Sequence, residues 1–269
     1  MSIQAVILDW AGTMVDCGSR APMGAFVRAF AAFGVTISIA DARGPMGMAK
    51  RDHIKSVLNA PGVAANWQAQ HGRAPNEADI DAIFDVFEPM NVASVADHAD
   101  FIPGALQAIA TLQARGLRIG STTGYTRAIM ARLLPVAAAA GYSPEVVVCA
   151  GDLAAGRPSP LMMWHAMAQM GIWPAASVVK VDDTPVGIGE GRNAGTWTVG
   201  LALTGNIAGL SPEELTTLGE AQRNEIRHHA TQAFAEEGTD LVIDSVADLP
   251  TAITQIDHWI AAGRRPRGA

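Results

Sequence analysis

Six short apolar runs constrain this chain more than any other feature. They are Ala5 to Leu8, Leu117 to Ser121, Val146 to Cys149, Val178 to Val181, Thr196 to Val199 and Leu241 to Ile243. Each is short and rich in β-branched side chains, as expected of strands buried on both faces of a parallel sheet. Helical stretches separate the later runs: Gly104 to Arg115, Thr126 to Ala139, Ser159 to Met170, Val186 to Ala194 and Glu213 to Glu237. This alternation predicts an α/β fold with a doubly wound, mainly parallel sheet. Such sheets bind ligands beyond the carboxyl ends of their strands, so the loops after the runs are the places to look for chemistry.

One interval breaks the alternation. Between Asp16 and about Asp100 no strand is evident. "APMGAFVRAFAAFGV" puts Phe26, Ala29, Phe30 and Phe33 on one helical face, and "NEADIDAIFDVFEPM" does the same with Ile80, Ile83, Phe84 and Phe87, capped by Asn76. At 269 residues, against roughly 150 per domain, the chain has room for two domains. The expected division is a Rossmann-like core domain, residues 1–17 and 100–269, and an inserted all-helical cap domain, residues 18–99.

Composition limits the partners. Apolar residues make up 49% and charged residues 17%, enough for a large core and against disorder. A net charge of -7 argues against nucleic acid or an anionic membrane as the main partner. No apolar run approaches membrane-spanning length, and "MSIQAVILDW" lacks the basic start of a signal peptide. Cys17 and Cys149 cannot build a disulfide framework. The expectation is a soluble cytoplasmic protein acting on a small molecule. The tail "GRRPRGA" is expected to fray.

Four loops carry candidate chemistry. Asp9 ends the first run and is followed by the turn Ala11-Gly12-Thr13. Thr122-Thr123-Gly124-Tyr125 follow the second run, Gly156-Arg157-Pro158 the third, and Asp182-Asp183-Thr184 the fourth. Any one of these could be plain turn chemistry. Together, a carboxylate, a hydroxyl, a cation and an acid at successive strand ends can surround one phosphoryl group. Gly12 and Thr13 are expected to shape their turn and lend backbone N–H groups to the anion.

In these loops the sequence resembles the haloacid dehalogenase superfamily, from residue 4 to about residue 205, with the helical insertion at the usual point. The resemblance implies that Asp9 is a nucleophile toward phosphorus and that Thr123 and Arg157 hold phosphoryl oxygens. It also implies Mg²⁺ held by Asp9, Asp183 and the Ala11 carbonyl, with Asp182 in support. The chemistry is coherent: a carboxylate can form an acyl phosphate, and Mg²⁺ favours a few carboxylates plus phosphate oxygens.

Ala11 is the informative departure. Relatives that cleave phosphate esters place an acid there, which protonates the leaving alkoxide. A chain with alanine is either non-hydrolytic or has a leaving group that needs no acid. The segment "RGPMGMAKRDHIKSVL", residues 43–58, offers the second explanation. Read as a helix after Pro45, it puts Met46, Lys50, His53 and Val57 on one face. Lys55 then lies roughly 140° away from Lys50. Lysine is seldom buried on an apolar face unless a function lowers its pKa. A neutral lysine condenses with an aldehyde, and the protonated imine can accept the electrons of a breaking P–C bond.

This run, with "DWAGT" and "GSTTGYT", resembles the phosphonatase branch of the superfamily, the phosphonoacetaldehyde hydrolases. Their pattern M-G-x-x-K-x-x-H is met by Met46, Gly47, Lys50 and His53. The resemblance implies a Schiff base on Lys50, assisted by Met46 and His53, and a substrate site that includes Gly124 and Tyr125. It also implies a homodimer. "EGRNAG" at residues 190–195 and Gly205 fit the same branch. Ser19 stands where the branch has a cysteine, and Asp182 precedes Asp183 where glycine is usual. The alternative is a sugar-phosphate phosphatase or phosphomutase of the same superfamily.

Overall fold

The computed structural model describes residues 2–268. Six strands form one sheet: β1 (Ala5–Leu8), β2 (Arg118–Thr126), β3 (Val146–Ala150), β4 (Val178–Asp182), β5 (Trp197–Leu201) and β6 (Leu241–Ile243). Their order is β3-β2-β1-β4-β5-β6 and every neighbouring pair is parallel. The two faces explain the continuous apolar text of the strands. Val6 and Leu8 of β1 join Val179 and Val181 of β4 in one core. Ala5, Ile7 and Val178 point into a second core on the opposite face. β1 lies between β2 and β4, so the direction of winding reverses there, and the cleft beyond its carboxyl end is the place for a ligand.

The interval between β1 and β2 is helical, as expected. It holds α1 (Ala21–Ala31), α2 (Ile39–Arg43), α3 (Lys50–Leu58), α4 (Pro61–His71) and α5 (Glu77–Ser94). They bury their own cluster, with Phe26, Phe30, Trp67, Ile83 and Phe87 at its centre. Asn76 caps α5 through a reciprocal bond with Asp79. This is the inserted helical cap.

Four helices flank the core sheet: α6 (Ala105–Ala114), α7 (Arg127–Ala139), α8 (Leu161–Met170) and α9 (Pro185–Ala194). α6 enters just before β2, and with α7 it covers the β1 face carrying Leu8. α8 covers the other face with Met162, Met163, Met167 and Met170. Among the described residues no helix is long and apolar enough to cross a membrane.

Three expectations are corrected. The Thr122–Tyr125 segment is not a loop after a strand but the end of β2, whose register against β3 shifts between Thr123 and Thr126. Threonine and tyrosine favour the extended backbone, and Thr126 then caps α7 through Ile129 N–H. The expected helix from 213 to 237 is two, α10 (Pro212–Thr217) and α11 (Glu220–Glu236), because Leu218 is extended and Gly219 starts the second. The tail does not fray within the described residues: Arg264 stacks 4.0 Å from the Trp259 ring and Arg267 N–H donates to Asp240 Oδ1 at 3.1 Å. A further helix, α12 (Leu249–Ala261), lies beyond the expected elements and buries Leu249, Ala252, Ile253 and Ile256.

Close approach at Gly200 joins β5 to α11. A methyl group there would lie 2.7 Å from Phe234 Cδ2, and Phe234 is fully buried. Gly200→Ala should lower stability by about 1–3 kcal/mol, the usual cost of overpacking. Urea unfolding measures this. In a Phe234→Ala background the same change should cost less than half as much; an equal cost would mean the two residues do not share that space.

Candidate active site

Asp9 emerges from β1 into the cleft, tied by its N–H to Val181 O at 3.1 Å. Its carboxylate is buried, at 6% exposure, and Oδ1 meets Arg157 Nη2 at 2.9 Å. Burial and the nearby Asp182 carboxylate raise its pKa, against the pull of Arg157 and Lys180. Asp182 and Asp183, at the end of β4, have different surroundings. Asp182 Oδ1 accepts from Thr184 N and Oγ1 at 3.0 and 2.7 Å, while Oδ2 lies 3.1 Å from Lys180 and 3.4 Å from Arg157. Those cations hold Asp182 below the usual carboxylate range in spite of burial. Among the described residues no cation pairs with Asp183. Its Oδ2 accepts from Ser19 Oγ at 2.8 Å and Asn206 N at 2.7 Å, and Oδ1 has no partner. Burial, then Asp182 and Asp9, lift it well above the carboxylate range.

These acids suit a divalent cation. Asp9, Asp182 and Asp183 each offer an oxygen within 4.8 Å of the others. With Glu190, four carboxylates are buried in the cleft with two buried cations, Arg157 and Lys180, a formal excess of two negative charges when all four acids are ionised. Asp182 is taken up by those cations. Asp9 and the unpartnered Asp183 Oδ1 could offer oxygens to such an ion, and the backbone at Ala11 lines the same cavity. The donor set is all oxygen, as Mg²⁺ prefers.

The base of the cleft includes residues that the loop motifs did not disclose. Glu190 Oε2 accepts from Arg157 Nε at 3.0 Å and Thr122 Oγ1 at 2.8 Å, and lies 3.3 Å from Lys180 Nζ. Lys180 also donates to Thr122 Oγ1 at 2.8 Å. A lysine inside the apolar run "VVKV" was the available signal, since a fully buried lysine requires partners. Thr123 lines the cavity and its Oγ1 accepts from Tyr125 N at 3.1 Å.

The turn after Asp9 is used differently from the expectation. Gly12 N donates to Val15 O and Asp16 O, and Thr13 N to Trp10 O, so these N–H groups are spent inside the turn rather than on an anion. Gly12 matters for space instead. Its φ is +75°, and a methyl group there would lie 2.0 Å from Asp183 Oδ2.

The cap supplies the roof. Met46, Gly47 and Lys50 line a cavity of about 20 Å³ with Asp9, Ala11, Ser19, Thr123, Gly124, Tyr125, Arg157 and Asp183. Met46 and Lys50 do not meet through a shared helical face, because α3 begins only at Lys50. Residues 44–48 form turns, with Gly47 at a left-handed φ of +94° that no helix continues through. The turn still brings Lys50 Nζ to 3.8 Å from Met46 Sδ. It packs tightly on the core: a methyl group on Gly47 would lie 2.3 Å from Thr184 Oγ1, and one on Gly124 2.8 Å from Gly47 O.

Lys50 is 3% exposed and no carboxylate pairs with it among the described residues. Its ammonium lies 5.2 Å from the Tyr125 ring centre and 5.8 Å from that of Phe26. Burial lowers its pKa to about 8. The N-terminus of α3, where it sits, further disfavours positive charge. His53, one turn on, is fully buried and does not line the cavity. Its Nε2 lies 2.7 Å from Ala42 O, which can only accept, so Nε2 carries the proton and Nδ1 is bare. Burial, then Lys50, hold its pKa well below the usual range. Lys55 pairs with Glu77 on the outer surface.

The comparisons with known proteins agree with this geometry. A model of the haloacid dehalogenase-like hydrolase family matches residues 3–195. The phosphonoacetaldehyde hydrolase of Paraburkholderia xenovorans is 50% identical over 98% of this chain and 99% of its own length. That of Salmonella paratyphi A is 48% identical over 98% and 99%. The crystal structure of a phosphonoacetaldehyde hydrolase-like protein from Oleispira antarctica superposes with a TM-score of 0.96 at 39% identity, covering 99% of this chain and 96% of that one. A β-phosphoglucomutase from Clostridium difficile, 16% identical with a TM-score of 0.68 over 97% and 100%, shares the fold alone. The chain belongs to the haloacid dehalogenase-like hydrolases and, among them, to the phosphonoacetaldehyde hydrolase family.

Proposed function

We propose that this protein hydrolyses the carbon–phosphorus bond of phosphonoacetaldehyde, giving acetaldehyde and phosphate. The observation that carries the reading is Lys50, a buried amine without a carboxylate partner, in one cavity with Asp9 and with Ala11 in place of an acid. The core domain is residues 1–17 and 100–269, and the cap domain is residues 18–99. A homodimer and a cytoplasmic location go with the reading, supported by the family resemblance and the two free, buried cysteines.

The neutral Lys50 amine attacks the aldehyde carbon, and loss of water leaves a protonated imine. The Asp9 carboxylate then attacks phosphorus. The P–C electron pair moves into the imine, giving an enamine on Lys50 and an acyl phosphate on Asp9. Water cleaves the acyl phosphate to phosphate and Asp9. Protonation of the enamine carbon and hydrolysis of the resulting imine release acetaldehyde and restore Lys50. The leaving group is a stabilised carbon, so no acid is needed at Ala11. Arg157 and Thr123 orient the phosphonyl oxygens. Met46, whose Sδ lies 3.8 Å from Lys50 Nζ, and His53, one turn along α3 with a bare Nδ1, assist imine formation at Lys50. Mg²⁺ held by Asp9, Asp183 and the Ala11 carbonyl would neutralise charge on the phosphonyl group.

With Mg²⁺ present, the protein should release acetaldehyde and phosphate from phosphonoacetaldehyde in equal amounts. EDTA should stop the reaction, and Asp9→Asn should lower it on the order of 10³-fold or more. Faster hydrolysis of p-nitrophenyl phosphate than of phosphonoacetaldehyde would favour the sugar-phosphate phosphatase instead.

Lys50 also predicts the pH dependence. With its pKa at about 8, the neutral amine is a minority at pH 6 and falls about tenfold per unit of pH below the pKa. kcat/KM should therefore rise steeply from pH 6 to 8 and level off above. A flat profile across that interval would mean that Lys50 does not act as a neutral nucleophile.

A further inference from the structure

With the cap seated as observed, the cavity is about 20 Å³, room for little more than one water molecule. A phosphonate needs more room than this, so the walls of the cavity, part of which the cap supplies, have to shift for it to bind. The directional contacts that seat the cap are therefore part of the working cycle, and the densest set converges on Arg43, the last residue of α2.

Arg43 Nη1 donates to Gly18 O at 2.8 Å, Asn206 O at 3.2 Å and Asn206 Oδ1 at 3.1 Å, and Nη2 donates to Gly209 O at 3.2 Å. Asn206 Nδ2 returns a bond to Arg43 O at 3.3 Å. All the acceptors on the guanidinium are neutral oxygens, and Arg43 is only half-buried, so the set can break and reform. The core loop that receives it, residues 204–209, also touches Asp183. Asn206 N–H donates to Asp183 Oδ2 at 2.7 Å. The loop is thin on both sides because glycine stands at each contact. A methyl group on Gly209 would lie 2.9 Å from Arg43 Cζ, and one on Gly205 would lie 2.3 Å from Asp183 Cβ. The cap linker makes a second connection: Gly18 O accepts from Arg43, and the next residue, Ser19, donates to the same Asp183 oxygen at 2.8 Å.

We propose that Arg43 is a positioning residue that couples the seating of the cap to the placement of Asp183, through Asn206 on one side and Gly18-Ser19 on the other. Opening the cap removes the guanidinium from both segments and loosens the two donors that orient Asp183. Closing it places Lys50 over the cavity and sets the acid in the same movement. The part concerning Asp183 rests on the reading of that residue as a metal ligand; the part concerning Lys50 does not.

The test uses the whole protein without substrate. Lys50 is labelled by reductive methylation and quantified by peptide mass analysis, with the exposed Lys55 as internal control. Mn²⁺ affinity is measured from the electron paramagnetic resonance of the free ion. Arg43→Ala should speed Lys50 labelling at least fivefold, leave Lys55 unchanged and weaken Mn²⁺ binding severalfold. Arg43→Lys, which keeps the charge but not the fork, should fall between. Gly209→Ala approaches the contact from the core side and should move both readouts in the same direction without removing the arginine. Asp183→Asn should abolish Mn²⁺ binding while leaving Lys50 protected, which separates a failure of the metal reading from a failure of the seating. Wild-type Lys50 protection in Arg43→Ala with an unchanged melting curve would overturn the proposal. So would faster Lys50 labelling with unchanged Mn²⁺ affinity, because the two events would then be uncoupled.

Discussion

Burying an amine without a counter-charge is costly, and the site is organised around that cost at Lys50. Removal from water favours the neutral form. The carboxylates that could rescue the ammonium are turned elsewhere: Asp9 to Arg157, Asp182 to Lys180 and Arg157, and Asp183 to Ser19 and the Asn206 N–H. Met46 contributes a thioether beside the amine, a soft neighbour that does not fix its charge. The result is a lysine able to act as a nucleophile near neutral pH, facing a carboxylate that is still ionisable.

The same separation of charges explains the core of the site. Arg157 and Lys180 sit beneath Asp9 and are held there by Glu190, which is buried with them. A single buried carboxylate among apolar strands would be protonated or displaced. Here it belongs to a network whose excess of negative charge suits one divalent cation. Ala11 fits this arrangement as a methyl group where another acid would add a further negative charge to an already acidic cleft.

Much of this was legible in the sequence because the relevant signals are local. The six strands follow from short apolar runs, with Asp9 and Asp183 directly after β1 and β4 and Arg157 in the loop that follows β3. The helical insertion follows from the spacing of Phe26, Phe30, Ile83 and Phe87. What was not legible depends on long-range contact or on backbone detail. Met46 and Lys50 are four residues apart, which suggests a helix, but Gly47 adopts a left-handed φ and a turn makes the contact instead. Gly12 and Thr13 have the composition of an anion-binding turn, yet their N–H groups close the turn itself. Glu190 and Lys180 are distant in sequence from Arg157, and only the tertiary fold unites Lys180 on β4, Glu190 on α9 and Arg157 in the loop after β3. The α12 helix carried a clear spacing of Leu249, Ala252, Ile253 and Ile256 in a segment where no element was expected.

The central claim is that Lys50 forms a covalent imine, and reductive trapping tests it most directly. Borohydride added with acetaldehyde should inactivate the protein irreversibly, and peptide mass analysis should find one ethyl group on Lys50. Lys50→Arg, which keeps the charge, should lose both the label and turnover. An ethyl group on Lys55 or Lys180 instead, or efficient turnover by Lys50→Arg, would contradict the account.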